Sequence, residues 1–244
     1  MIGIRLVFTA IMAVLPLSIG AAAASQLRVE PVLLEIDAPA AAGTLTLRNE
    51  ESSEVTVQTR VVRWSQTNGK ETLEETTEVV ASPPAVTLAP GADYVVRVVR
   101  VSRQPLRGEE DYRVLVDQLP RAGRQQNRAV NLLVRQSIPV FFRSRELELP
   151  NVSWSMRSEA GKVIVAASNA GDERLRIASL RLRDSSGATF SFGNGLVGYV
   201  LGRSSMSWIA PTEKRSFGSI GSVSISAETN KGPIHAVAEA PTRR

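Results

Sequence analysis

The sequence RAVNLLVRQSIPVFFR, residues Arg128–Arg143, has the pattern of a long β-strand. Side chains of an extended strand alternate between its two faces. One face carries a mostly apolar row that consists of Val130, Leu132, Val134, Gln136 and Ile138. The other face is also partly apolar, with Ala129 and Leu133, until Pro139 removes a backbone donor.

This strand has two alternative places in a sheet, with different consequences. A strand that is apolar on both faces is normally central in its sheet, which predicts a buried core strand. At a sheet edge, the same backbone would be free to pair with another chain. The sequence alone leaves both alternatives open.

The rest of the chain also has the pattern of a β-protein. Short runs rich in Val, Ile, Leu and Thr are separated by clusters of Gly, Pro, Asn and Ser, which is typical of sandwiches and barrels. Asn68-Gly69 predicts a hairpin turn. About seven strands up to Arg143 are enough for one immunoglobulin-like sandwich, and the second half of the chain has a similar pattern.

Two segments near the start of the chain are harder to assign. Leu27–Ile36 is predicted as the first strand, in which Pro31 indicates a sheet edge or a kink. Glu71–Val80 is acidic and is predicted as a loop or a weak strand.

The length of 244 residues is that of two domains. Met1–Ala24 has the pattern of a cleaved secretory signal, with Arg5, an apolar run and alanines. This run is shorter than the ~20 apolar residues that span a bilayer, so we expect no membrane insertion of the mature protein. We expect one immunoglobulin-like domain at 25–145 and another at 146–244, with a linker at Ser144–Pro150.

Composition argues against several classes of function. The chain has no cysteine and one histidine, His235, so we expect neither a metal site nor a catalytic triad. Basic residues are dispersed despite the net charge of +5, so we expect no nucleic-acid binding. Gly193–Gly198 matches a nucleotide-binding fingerprint, but Asn194-Gly195 predicts a hairpin turn followed by strand rather than helix. We therefore expect no enzyme activity and no cofactor.

Three arginines are candidates for a functional role. Arg97 and Arg100 point to opposite faces of one predicted strand, so at most one of them faces an interior or a cleft. Such an arginine is normally exposed, and the functional alternative is a carboxylate clamp. Arg143 ends the predicted first domain, and we expect it to pair with Glu109 or Glu228 across the domain junction.

Together, several stretches resemble the periplasmic pilus-assembly chaperones of the chaperone–usher pathway, above all the archaic or spore-coat-type branch. The resemblance covers nearly the whole mature chain, from Leu27 to Ala240, and it rests on the order and spacing of its motifs. These motifs are GTLTLRN (43–49), the VVRW ending at Trp64, SPP…L.PG (82–91), Arg97 of YVVRVVR, DYRVLVDQLP (111–120), IPVFFR (138–143), NAGDERLRI (169–177) and GLVGYVLG (195–202).

The resemblance implies both a fold and a function. The fold would be two immunoglobulin-like sandwiches in an L-shape. The protein would bind pilin subunits in the periplasm and pass them to an outer-membrane usher. Val130, Leu132 and Val134 would enter the open groove of a subunit as the strand Arg128–Ile138 completes the subunit's sheet. The resemblance does not decide whether the free protein forms a self-capped dimer.

The chain departs from the family pattern where the better-known branch anchors the subunit's C-terminal carboxylate. That branch uses an arginine and a lysine, and the matching positions here are Leu33 and Pro139. We therefore expect the anchor to be missing or moved, with Arg97 and Arg28 as candidates. The resemblance also implies an inter-domain role for Arg143, with Glu109 and Glu228 near the positions of its acidic partners.

Two other functions are compatible with a secreted β-protein. The main alternative is a structural or adhesive surface protein built from two immunoglobulin-like modules and retained outside the cell. A secreted hydrolase on a β-sandwich would need a nucleophile and a base that the sequence does not supply.

Overall fold

The computed structural model describes residues 27–120, 133–159, 162–209 and 222–239. These residues form strands and connecting loops, as predicted for an all-β chain. Among them, no helix has the length and hydropathy needed to cross a membrane. The predicted signal Met1–Ala24, Val130 and Leu132 lie outside the described residues.

The first half of the chain contains ten of the described strands. They are β1 (Leu27–Glu30), β2 (Leu34–Asp37), β3 (Ala42–Asn49), β4 (Val55–Thr67), β5 (Lys70–Glu75), β6 (Val79–Ser82), β7 (Ala85–Leu88), β8 (Asp93–Arg100), β9 (Glu109–Gln118) and β10 (Arg135–Arg143). One sheet has the order β1-β3-β8-β6, and the other has the order β2-β10-β9-β4-β5, with β7 paired to β4. Their facing apolar side chains, including Leu45, Val96, Val114, Val140 and Phe142, form one buried core.

The segment predicted as one first strand is two strands in different sheets. β1 pairs with β3, whereas β2 runs parallel to β10. Pro31 directly follows β1 and has no N–H group with which to continue the β1–β3 ladder. The chain therefore leaves one sheet at Pro31 and joins the other at Leu34, which closes the sandwich along this side.

The predicted hairpin turn at Asn68-Gly69 is confirmed. It joins β4 to β5, and Thr67 pairs with Lys70 across it. Asn68 and Gly69 have φ angles of 54° and 75°, as a two-residue turn with two left-handed positions requires. The acidic stretch after this turn forms the exposed strand β5 and then begins β6.

The second half of the chain contains the other eight described strands. They are β11 (Val152–Glu159), β12 (Lys162–Asn169), β13 (Leu175–Arg183), β14 (Thr189–Ser191), β15 (Leu196–Val200), β16 (Ser205–Ile209), β17 (Ser222–Thr229) and β18 (Gly232–Glu239). One sheet has the order β11-β12-β16, and the other has the order β14-β13-β17-β18, with β15 paired to β13. A second core lies between them and includes Val165, Ile177, Leu182 and Ile225.

The hairpin predicted at Asn194-Gly195 is wrong. β14 and β15 do not pair with each other; both pair antiparallel with β13, one after the other along the same strand. Asn194-Gly195 is a bend between them. Strand rather than helix follows the glycine fingerprint, as predicted.

No strand occupies residues 144–151, between β10 and β11. The proposed domain boundary between Arg145 and Glu146 falls in this stretch, which contains the whole of the predicted linker Ser144–Pro150.

Candidate interaction site

Strand β10 is central at one end and open at the other. β2 covers only its second half, where Val140 pairs with Leu34 and Arg143 pairs with Asp37. In the described residues, the first half of β10, from Arg135 to Pro139, pairs with β9 alone. Both alternatives that the sequence left open therefore apply, each to a different part of the strand.

The hydrogen-bond pattern shows which backbone groups of β10 lie on the open side. Gln118 N donates to Val134 O at 3.2 Å, which makes this a hydrogen-bonded pair of the antiparallel ladder. Because the pattern alternates, the register places the N–H and C=O groups of Arg135 and Ser137 away from β9. Pro139 has the same orientation, so its missing N–H costs the ladder no bond.

The apolar row of the predicted donor strand continues the core of the first sandwich. Ile138, Val140 and Phe142 share this row and are buried in the core. Val134 and Gln136 are half-buried, and the Gln136 side chain donates to Leu27 O at 2.6 Å. The row thus leaves the core at the point where the open edge begins.

The opposite face of this sheet meets the second half of the chain, and we call it the junction face. Its residues are Leu33, Glu35, Asp37, Trp64, Gln66, Glu109, Asp111, Arg113, Pro139, Phe141 and Arg143. An aromatic cluster seals the contact: Trp64 and Phe141 pack against Tyr199, with ring centroids 5.4 and 6.0 Å from that of Tyr199. Leu33 also packs on this cluster.

The predicted pairing of Arg143 with Glu109 is wrong, because the carboxylate of Glu109 forms its ion pair with Arg174. Glu109 Oε1 accepts a hydrogen bond from Arg174 N at 3.0 Å, and Oε2 pairs with the guanidinium. Arg174 also pairs with Glu35 and stacks on Phe141, with its Cζ 3.4 Å from the ring centroid. The central cation of the junction is therefore Arg174, whose side chain is 2% exposed.

Arg143 lies opposite Glu109 in the register but pairs with carboxylates on its other side. It donates to both carboxylate oxygens of Asp37, at 2.6 and 3.1 Å. It still contributes across the junction, because its guanidinium lies 3.7 Å from Glu173. The predicted partner Glu228 lies instead on the exposed face of β17, opposite Ala178.

Burial sets the electrostatics of the acids at this junction. Burial raises the pKa of Glu109, and Arg174 opposes this effect. Burial and the neighbouring Glu109 raise the pKa of Asp111 well above its usual range. Within the described residues, Asp111 Oδ1 has no hydrogen-bond partner. Burial therefore disfavours the charged form of Asp111 beside the Arg174–Glu109 pair.

The cation nearest to Pro139 on the junction face is Arg113, which sequence reasoning missed. Arg113 lies opposite Pro139 in the register, and its guanidinium stacks on Trp64 at 3.8 Å from the ring centroid. Burial lowers its pKa. In the described parts of the chain, its buried Nε has no hydrogen-bond partner and its one ion pair, with Glu71, is 3.5 Å long. The sequence DYRV (111–114) gives no sign that this arginine lies on the junction face.

The two arginines proposed from sequence lie apart from this position. Arg28 is on the edge strand β1, where it pairs with Glu30 and lies 3.7 Å from Glu50. Arg97 is exposed on β8, opposite Thr44 of β3. The structure does not bring Arg28 and Arg97 together. Leu33 and Pro139, in contrast, are neighbours, because the β2–β10 register begins directly after them.

The β4–β5 hairpin fastens the first sandwich to the second. Gln66 is buried, its amide nitrogen donates to Tyr199 O at 2.9 Å, and its amide oxygen accepts from Leu201 N at 3.0 Å. At the tip, Gly69 O accepts from Ser207 N at 3.1 Å. A Cβ atom on Gly69 would lie 2.4 Å from Ser207 Oγ, so this contact needs glycine.

We expect Gln66→Ala to destabilise the protein by about 2–3 kcal/mol, because it leaves two buried backbone groups without partners. The amide proton of Leu201 should also exchange faster, since Gln66 is its acceptor. Chemical denaturation and amide exchange measure the two effects. Thr67→Ala, at the exposed neighbouring position, is the control. An unchanged Leu201 amide would contradict this account of the hairpin.

Comparison with known proteins gives both a family and a fold. The family model described as "Pili and flagellar-assembly chaperone, PapD N-terminal domain" matches residues 26–148, about half of the chain. No curated protein sequence matches significantly.

Solved structures resemble the chain over most of its length. One is the chaperone–tip adhesion subunit pre-assembly complex from the archaic chaperone–usher Csu pili of Acinetobacter baumannii, with a TM-score of 0.68 and 22% identity over 88% of this chain and 99% of that chain. Another is the YadV chaperone, with a TM-score of 0.61 and 14% identity over 87% and 98%. A third is the Salmonella enterica SafA pilin–SafB chaperone complex, with a TM-score of 0.59 and 19% identity over 86% and 95%. At these identities the likeness shows the fold, and it confirms the two immunoglobulin-like sandwiches.

Proposed function

The chain belongs to the pili and flagellar-assembly chaperones, and we propose that it binds and caps pilin subunits by lending them the open edge of β10. In this proposal the segment from Arg128 to Ile138 adds a strand to a subunit whose own sheet is incomplete. Main-chain hydrogen bonds supply affinity, and alternate side chains supply fit. Family membership favours this function over the adhesive alternative.

The observation that carries the proposal is the end of β10 that, among the described strands, pairs with β9 alone. The backbone groups of Arg135 and Ser137 are oriented for a second ladder on that side. The side chains of Val134, Gln136 and Ile138 extend the core row in that direction, and Val130 and Leu132 continue it in the sequence. Burial of each apolar side chain in a subunit would contribute about 1.5–3 kcal/mol before ordering costs.

Several parts of the proposal follow from the family. The protein would act in the periplasm after cleavage of the signal Met1–Ala24, and its two domains would be 25–145 and 146–244. An outer-membrane usher would receive the subunits. The archaic branch is the proposed relationship, since the Csu complex has the family's fold and is named as archaic. Before it meets a subunit, the open edge is free to pair with a second copy of the chain, which would give a self-capped dimer.

The test of this function is capture of subunits in the periplasm. An affinity-tagged chain is expressed in its native bacterium, and co-purifying proteins are identified by mass spectrometry. We expect immunoglobulin-like pilins that lack a final strand. Recovery of the chain in the outer membrane or on the cell surface, without any pilin, would support the adhesive alternative instead.

We further propose that a buried or cleft-facing arginine binds the subunit's terminal carboxylate in place of the usual pair. Arg28 and Arg97 remain candidates, but Glu30 already neutralises Arg28. Arg113 has the better position, because it adjoins Pro139 and has a free Nε. Its planar fork suits a carboxylate.

We expect Arg113→Gln to weaken subunit binding by about tenfold or more, because one charged hydrogen bond to a carboxylate contributes about 1.5–3 kcal/mol. Arg28→Gln and Arg97→Gln should have smaller effects. The measurement is the dissociation constant of the purified chain for the captured pilin, compared with a pilin whose C-terminal carboxylate is amidated. If amidation weakens wild type and Arg113→Gln equally, Arg113 is not the anchor.

A further inference from the structure

Strand β13 carries a row of arginines on the outer face of its sheet. Its inward side chains are buried in the second core and are Leu175, Ile177, Leu180 and Leu182. Arg176, Arg181 and Arg183 are exposed. A register shift between Ala178 and Arg181 keeps all three arginines on the same face. We call them the arginine row.

The arginine row begins at the junction between the two sandwiches. Arg176 lies opposite Tyr199 of β15, and Tyr199 packs against Trp64 and Phe141 of the first sandwich. From there the row continues outward along β13 to Arg183. At about 3.3 Å per residue, its length from Arg176 to Arg183 is about 23 Å. The row is therefore continuous with the surface next to which a bound subunit would lie.

Within the described residues, the arginine row has no acidic partner, in contrast to most of the arginines that the structure describes. Other exposed or partly exposed arginines pair with acids, as Arg48 does with Asp93 and Arg60 with Asp117. Within the described parts of the chain, no ion pair involves the arginine row; Arg181 has one polar contact, to Asn194 at 3.3 Å. Glu228 of the neighbouring strand β17 lies on this face opposite Ala178, between the positions of Arg176 and Arg181.

The neighbours of Arg181 and Arg183 in the sheet are polar and mostly small. They are Ser224 and Ser226 of β17, Thr189 and Ser191 of β14, and His235 of β18, which lies opposite Ser226. Such side chains leave the guanidinium groups accessible and add hydroxyl donors. The face is thus cationic around Arg181 and Arg183, and its exposed apolar side chains, Leu196 opposite Ala178 and Val237 opposite Ser224, lie on opposite sides of β13.

We infer that the arginine row binds an extended acidic segment of the pilin subunit held at the open edge of β10. Arg181 and Arg183 are two residues apart, so their spacing is about 6.6 Å, which matches carboxylates at alternate positions of an extended chain. Electrostatic pairing of this kind increases the rate of encounter and selects among partners. This inference rests on the proposed function, and it further specifies that the bound subunit carries an acidic segment.

The test uses a labelled ten-residue peptide that alternates glutamate and threonine, with fluorescence anisotropy as the readout. Wild type should bind it, and binding should weaken as NaCl rises from about 50 to about 300 mM. Arg181→Glu with Arg183→Glu should lower the affinity at least about tenfold. The matched control, Arg103→Glu with Lys162→Glu, changes the net charge equally at exposed positions off this face and should keep the affinity.

Two results would overturn the inference. One is an equal loss of peptide affinity in the control, which would show that net charge alone is responsible. The other is binding of wild type to phosphatidylglycerol vesicles but not to the peptide, which would assign the arginine row to a lipid surface.

Subunit capture separates this inference from the proposed function. The Arg181→Glu, Arg183→Glu chain should still capture pilin, with faster dissociation. Unchanged dissociation would reject the inference and leave the proposed function intact. Failure of wild type to capture any pilin would reject the proposed function itself.

Discussion

Replacement of Val130, Leu132 and Val134 by glutamate is expected to abolish capture of pilin subunits while leaving the chain folded. Val134 lies on the row that leaves the first core, Val130 and Leu132 continue this row in the sequence, and in the proposal all three side chains enter the open groove of a subunit. Burial of each of the three carboxylates would cost several kcal/mol. We expect this cost to exceed the binding free energy that the main-chain hydrogen bonds of one added strand contribute. The measurement is the amount of pilin that co-purifies from the periplasm, with thermal unfolding as the check on folding.

The control for this variant places the same charges on the opposite row. Glutamate at Ala129, Asn131 and Leu133 changes the net charge equally and leaves the proposed inserting row intact. Leu133 is 49% exposed, so it tolerates charge in the free chain. Equal loss of pilin in both variants would show that charge near the site matters and that the alternate row does not.

Arg174→Ala is expected to have the largest effect on stability, about 3–5 kcal/mol, because it leaves the buried Glu109 without its partner. The Glu109 side chain is fully buried, and Arg174 supplies both a backbone and a side-chain donor to it. The loss should be smaller in the double variant Arg174→Met, Glu109→Gln, which removes both charges. Chemical denaturation measures the free energy of unfolding of wild type, of Arg174→Ala and of the double variant.

The reference for this experiment is Arg203→Ala, which removes an exposed arginine that pairs with Glu148 and Asp172. We expect little change in stability there, because exposed ion pairs contribute little. A loss at Arg174 as small as the loss at Arg203 would mean that the junction cluster does not fix the two sandwiches together.

Local sequence patterns predicted the strands but not all of their partners. The turn at Asn68-Gly69 follows from its own two residues, so it was predictable. The exchange of sheets at Pro31 was not, because a proline interrupts a ladder without specifying which sheet the chain joins next. β11 gives only a weak strand signal in the sequence, because its exposed positions are polar and its apolar face is narrow.

For the candidate site, the sequence predicted which side chains of β10 share a face. It did not predict which charged residues form ion pairs at the junction. The row through Val134 and Ile138 follows from the two-residue period of a strand. The partner of Glu109 is 65 residues away in the sequence at Arg174, and both Arg143 and Arg174 are plausible from charge alone. Only the packing of Arg174 on Phe141 decides between them.

Amide hydrogen exchange on β10 tests the central claim most directly. In the free monomer, the amides of Arg135 and Ser137 should exchange fast and those of Gln136 and Ile138 slowly, because only the latter donate to β9. On binding of the captured pilin, Arg135 and Ser137 should become protected. Protection of these two amides in the free monomer, or exchange that a bound pilin leaves unchanged, would contradict the claim that this edge is lent to another chain.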